Sequence, residues 1–204
     1  MTNNIGVSKT FDFGNGLEIK LETGKLAKQA NGSVVLTQGK TMLLATVVYN
    51  AEAKEGIDFL PLSVDYQEKF AAVGRIPGGF LKRENRPSDY EILISRLIDR
   101  AIRPLFAEDF HGDIQVLVSL ISSDKDINPD ALVGFAASAA IMLTDLPFNG
   151  PMSEVRVARV NGEFVINPSK SQMINADIDL IVAGTANDIN MVEGEAKEIS
   201  ESEM

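Results

Sequence analysis

The 204 residues contain no cysteine and only one histidine, His111, so composition alone excludes disulfides, thiolate chemistry, cysteine-held metal and a histidine-rich metal centre. A chain without cysteine also suits a reducing compartment. The N-terminal run MTNNIGVSKTFDFGNG has neither the basic start nor the apolar block of an export signal. The longest stretch without a charged residue, Ala131 to Thr144, covers 14 residues, short of the roughly 20 that a helix needs to cross a bilayer. These absences predict a soluble, cytoplasmic protein with no membrane partner.

What is present falls in the globular range, with 45% hydrophobic and 24% charged residues, and the length suits a single domain over residues 1–204. The formal net charge is -10, yet six of the eight arginines fall between Arg75 and Arg103. That segment carries a local +3, which leaves -13 for the rest of the chain. An acidic body with one basic island keeps nonspecific nucleic-acid binding low and directs a phosphate backbone to one place.

Hydrophobic periodicity supplies the elements. LEIKL (17–21) alternates like a half-buried strand, and SVVLTQ and TMLLATVVY flank Gly39-Lys40 as the arms of a hairpin. FLPLSVDYQ (59–67) reads as a further strand. Ser88-Asp89-Tyr90-Glu91 forms a capping box that starts a helix. Along that helix Leu93, Ile94, Leu97, Ile98, Ala101, Ile102 and Leu105 share one face, Arg96, Arg100 and Arg103 lie opposite, and Pro104 marks the end. DIQVLVSLIS (113–122) is a strand, and Pro129 opens a small-residue helix that Pro147 stops. EVRVARV and EFVINPS flank Asn161-Gly162, a type I′ hairpin signal, and two short strands, DIDLIVAGT and INMVEG, follow. The closing EAKEISESEM starts like a helix and reads as truncated. The expected class is α+β, a mixed sheet with helices packed on one face.

Several long blocks, in order, carry a resemblance: GKTMLLATVV, DFLPLSVDYQEKFAAVGRIPGGF, IPGGFLKRENRPSDYEILISRLIDRAIRPLF, SSDKDINPDALVGFAASAAIMLTDLPF and DLIVAGT. From about residue 11 onward the chain resembles the first ribonuclease PH-like module of the bacterial polynucleotide phosphorylase family. The resemblance implies the ribonuclease PH-like fold, shared with domain 2 of ribosomal protein S5. It also implies 3′-to-5′ phosphorolysis of single-stranded RNA, in which inorganic phosphate attacks the terminal phosphodiester and releases a nucleoside diphosphate, with Mg2+ assisting. Family members carry a second such module, a helical linker and KH and S1 domains, form homotrimeric rings and work with RNA-degradation complexes.

Phe80-Leu81-Lys82-Arg83 matches the family's aromatic and basic loop, which implies an RNA-gripping constriction at the channel entrance. An aromatic face stacks on any base, and two cations take phosphates without reading sequence. Leu81 stands where an aromatic residue is common, and Asn85 where glycine is usual. Gly78-Gly79 would let the loop sit close to a strand. The alternative is a solvated loop whose phenylalanine folds back on the core. Arg86 lies near the position of a phosphate-binding arginine in single-module relatives. Arg96, Arg100 and Arg103 either contact RNA or a trimer neighbour or form a solvated face with local pairs such as Arg96 to Asp99.

At Asn128-Pro129-Asp130-Ala131, active modules of the family carry a glycine- or serine-rich phosphate turn. Here Pro129 donates no amide proton and Asp130 repels an anion, so no catalytic residue is expected in this module. Asp177, Asp179 and Asp188 read as solvated acids on strand ends, with no metal assigned to them. Gly39-Lys40-Thr41 is not a P-loop, because the earlier glycine would fall at Val34 and the segment joins two strands. The expectation is an RNA-channel and trimer-contact module that is inactive alone, its Mg2+ site outside the chain and phosphate its co-substrate. The rival is a freestanding inactive RNA-binding or scaffold module of a ribonuclease ring.

Overall fold

The computed structural model describes residues 6–12, 18–80, 82–84 and 86–203. The first sheet contains β1 (Val7–Asp12), β2 (Glu18–Thr23), β3 (Gly32–Gln38), β4 (Thr41–Asn50), β5 (Leu62–Glu68) and β6 (Asp113–Ser122), in the order β1-β2-β3-β4-β6-β5. All its ladders are antiparallel except β5 on β6, which is parallel. β4 and β6 show why the sheet has one buried face. Leu43, Ala45 and Val47 pair with Leu120, Val118 and Val116, and all six are buried. Directly opposed residues share a face, so this alternation commits the register.

Two helices cover that face. α1 (Asp89–Ile102) begins at the expected capping box, with the Ser88 hydroxyl accepting from the Glu91 amide and Glu91 reaching back to the Ser88 amide. Such a cap contributes about 1 kcal/mol. Ile94, Leu97, Ile98, Ala101 and Ile102 are buried as expected, but Leu93 is 53% exposed. Leu93 sits at the edge of the stripe. Pro104 lies inside a 3-10 turn (Arg103–Leu105) that continues the helix. α2 (Asp130–Ile141) is buried on nearly all sides and ends well before Pro147.

The all-round burial of α2 has a cause that local periodicity does not carry: a second sheet on the far side of the helices. It contains β7 (Ser153–Val160), β8 (Glu163–Ile166), β9 (Ala176–Gly184) and β10 (Ile189–Ala196), ordered β10-β9-β7-β8 and wholly antiparallel. A one-turn helix, α3 (Lys170–Met173), joins β8 to β9. Asn161 and Gly162 have φ of 54° and 84°, the paired positive values of the expected type I′ turn. One buried cluster joins Leu43, Val116 and Ile98 to Ile181, Ala183 and Met191, so both sheets share a core. Glycine is required where β3 meets α2: a Cβ on Gly32 would lie 2.3 Å from the Ala140 carbonyl oxygen. Among the described residues, no helix is long and apolar enough to cross a membrane.

Candidate nucleic-acid interface

The chain from β5 to α1 is a long loop, and two carboxylates fix it. A 3-10 turn (Phe70–Val73) ends at Gly74, whose φ of 69° is left-handed and suits glycine. The turn is tied to the end of β6 by Lys69 N–H to Leu120 O (3.3 Å) and Ser123 N–H to Ala72 O (3.1 Å). On the returning strand of the loop, Glu84 accepts from the Phe70 amide at 2.8 Å and pairs with Lys69 at 3.2 Å. The Phe70 amide, with Lys69 beside it, holds the Glu84 carboxyl below its ordinary range. Glu91 does the same at the base of the loop. It accepts from the Glu68 amide (2.7 Å), the Ser88 amide (2.7 Å) and the Ser88 hydroxyl (2.8 Å). Burial pushes its carboxyl up, and these donors outweigh that and hold it low. Both acids are therefore spent on backbone amides.

The cations of the loop are left over. Lys82, Arg83 and Arg86 are exposed, and none has a carboxylate partner among the described residues. Arg83 and Arg86 line one cavity of about 380 Å³ together with Lys69, Phe70, Pro87 and Glu91. Phe80 is 100% exposed, so its ring is not folded back on the core. Ile76 and Val73 are exposed on the same segment. Leu81 and Asn85 lie outside the described residues. The glycine pair does not mark a close approach: a Cβ on Gly78 or Gly79 would meet nothing within 4 Å. Gly79 is explained by its φ of 75° instead.

The arginines of α1 divide. Arg96 is exposed and has no ion pair among the described residues, and Asp99 pairs with Arg103 at 2.6 Å rather than with Arg96. Arg103 also donates to the carbonyls of Leu60 (2.9 Å) and Leu62 (3.2 Å), which brackets the entry to β5. Hydrogen bonding to Asp99 raises its guanidinium further above its ordinary range. Arg100 pairs with Glu193 of β10. Arg103 and Arg100 thus brace the fold, while Arg86 and Arg96 remain available.

At the start of α2 the acids are not free either. Asp130 is buried, accepts from its neighbour's amide (Ala131, 2.9 Å), and pairs with Arg156 of β7 at 2.6 Å. Arg156 also holds Asp179 of β9 at 2.6 Å, and Arg159 holds Asp177 at 2.7 Å. Asp177 and Asp179 are therefore paired rather than solvated. Asp188 is exposed in the turn between β9 and β10. Among the described residues, no group of three or more acids or histidines is placed to hold a metal ion. With their carboxylates occupied by guanidinium groups, Asp130, Asp177 and Asp179 do not fit Mg2+. Sequence reasoning missed Lys69 and Glu84, which pair 15 residues apart within one loop, and Arg156, whose partners lie in other elements.

The 3′ exoribonuclease family, domain 1, matches residues 16–147, and its domain 2 matches residues 150–204. The chain belongs to the 3′ exoribonuclease family. As members of that family, polyribonucleotide nucleotidyltransferases are close in sequence. The one from Cytophaga hutchinsonii is 62% identical over 97% of this chain and 28% of its own length. Those from Porphyromonas gingivalis and Bacteroides fragilis are 58% and 59% identical over the same 97%. The chain thus spans little more than a quarter of these relatives. In fold, the chain is similar to a chain of the Archaeoglobus fulgidus exosome with RNA bound to the active site (TM-score 0.68, 19% identity, 96% of this chain and 82% of that one). It is also similar to rice Rrp46 (TM-score 0.66, 16% identity, 91% and 83%). These likenesses establish the ribonuclease PH-like fold.

Proposed function

We propose that this chain is the first core module of a polyribonucleotide nucleotidyltransferase and that its task is to guide single-stranded RNA rather than to perform the chemistry. The observation that carries this reading is the loop over residues 69–88. Glu84 within it and Glu91 at its base are consumed by backbone amides, while Phe80 is fully exposed and Lys82, Arg83 and Arg86 have no carboxylate partner among the described residues. Unpaired cations attract successive phosphates, and an exposed ring stacks on a base of any identity. Arg96, on the first helix beyond the loop, extends the basic track.

The start of α2 supports the other half of the reading. Phosphorolysis needs donors for the attacking phosphate and a cation to offset charge on the scissile group. Pro129 has no N–H, and the nearby carboxylates are neutralised by Arg156 and Arg159 instead of facing a metal. Phosphate and Mg2+ would then be handled by residues beyond this chain, in a second module of a cytoplasmic homotrimer with KH and S1 domains and contacts to RNA-degradation complexes. The two family segments would act as one folded unit through their shared core.

The test is release of nucleoside diphosphate from poly(A) in the presence of phosphate and Mg2+. This chain alone is expected to release none while still binding oligo(A). Turnover by the chain alone would refute the division of labour.

A further inference from the structure

A second cavity, larger than the one at the basic loop, shares none of its lining residues with it. It has a volume of about 660 Å³ and opens between the β3–β4 turn, the first turn of α2 and β8. This is within the range of small-molecule sites, on the order of 300 to 1,000 Å³. Its apolar lining includes Ile127, Leu132 and the half-exposed ring of Phe164.

Two of its lining residues carry an unmet donor. Gln38 is 2% exposed, and its amide nitrogen has no hydrogen-bond partner among the described residues. The side-chain nitrogen of Asn167 is likewise buried without a partner, although the Asn167 oxygen accepts from the Arg156 amide at 2.8 Å. Both nitrogens are closed to solvent, so a ligand acceptor meets them once the two amide groups turn toward the cavity, which would recover the free energy that an unpaired buried donor costs. The charged lining is of one sign. Asp124 and Asp126 line the cavity, and no lysine or arginine does. An anion would be repelled there, whereas a carboxylate accepts readily from an amino group.

We propose that this cavity is a binding site for an uncharged nucleobase or nucleoside, held by the amides of Gln38 and Asn167 and flanked by Phe164. A ring nitrogen or carbonyl accepts from the amides. An exocyclic amino group, as in adenine or cytosine, donates to the Asp124 carboxylate, and the flat face of the base packs on Phe164. A diphosphate group on the same ligand would stand against the two aspartates. The site is independent of the RNA path proposed above, because none of the loop cations enters it.

Equilibrium dialysis of the chain against adenosine, cytidine and uridine, and against their 5′-diphosphates, tests this. Adenosine and cytidine are expected to be retained at about 1 mM, with uridine weaker. Phe164→Ala, an exposed position that leaves the core intact, should weaken retention by about tenfold, as should Gln38→Leu if its circular dichroism matches the parent. The Lys82→Ala, Arg83→Ala variant should retain the nucleosides unchanged. No retention of any nucleoside, retention that survives Phe164→Ala, or loss on removing the loop cations would overturn the proposal. So would tighter binding of the diphosphates in that loop variant.

Discussion

Replacing Glu154 with glutamine should change how the stability of the chain depends on pH. Glu154 sits on the inner face of β7, 2% exposed, facing Gly134 of α2, with one carboxylate oxygen lacking any partner. Burial pushes its carboxyl up to about 8, and the neighbouring Asp130 carboxylate adds to the rise, opposed by the Gly134 amide. The other charged groups of the cluster are Arg156 on the same strand and Asp179 on β9, and the Tyr90 phenol of α1, kept neutral by burial, meets Asp130. In the unfolded chain a glutamate titrates near ~4.3. Between those two values the folded state keeps a proton that the unfolded state has released. The stability this proton provides is complete below about pH 4.3 and is lost as pH rises to about 8. The slope approaches ~1.4 kcal/mol per pH unit, on the order of 2 to 3 kcal/mol between pH 6 and pH 8. Glu154→Gln keeps the shape and the acceptor for Gly134 but removes the titration. Urea unfolding followed by far-ultraviolet circular dichroism, from pH 6 to pH 9, should show the parent losing stability relative to the variant up to about pH 8 and the difference levelling off above it. Parallel profiles for the two proteins would refute the buried, protonated carboxyl.

Three further outcomes follow from packing and pairing. Gly134→Ala places a Cβ 2.1 Å from the Glu154 carboxylate oxygen, and thermal unfolding should show a loss of about 1–3 kcal/mol; an unchanged midpoint would mean that β7 is free to move away. Arg156→Met leaves Asp130 and Asp179 without their shared cation, and should cost about 3–5 kcal/mol near neutral pH. Most of that loss should be recovered by adding Asp130→Asn and Asp179→Asn, as measured by denaturant midpoints. Arg103→Lys retains the charge but not the fork that holds Asp99, Leu60 and Leu62 together. It should cost about 1 kcal/mol, since the pair is partly solvated, and hydrogen exchange should be faster at the start of β5.

Signals that act over a few residues were legible in the sequence. Ser88 and Glu91 specify a helix start through their own reciprocal hydrogen bonds, and Asn161-Gly162 specifies a turn through positive φ values. The long arms at β4 and β6 identified themselves by their apolar runs. The edge strand β1 did not, because an edge strand with mostly exposed side chains carries little hydrophobic pattern. The second sheet was hidden for a different reason: alternation in β7 and β9 marks a half-buried strand without saying which sheet it joins. At the candidate site, the density of cations could be counted, but which of them stay free could not. Asp99 is three residues from Arg96 and four from Arg103, and the choice between them depends on the carbonyls of Leu60 and Leu62 that also receive Arg103. Arg156 and its two aspartates come from three separate elements, so no spacing rule joins them.

The measurement that reaches the centre of this account is the salt dependence of oligo(A) binding, read by fluorescence anisotropy for the parent and for the Lys82→Ala, Arg83→Ala, Arg86→Ala variant. Each phosphate contact removed should flatten the plot of log affinity against log salt by about 0.7. The variant should therefore bind more weakly at low salt and approach the parent at high salt. Equal affinities and equal slopes would show that RNA does not follow the loop between β5 and α1.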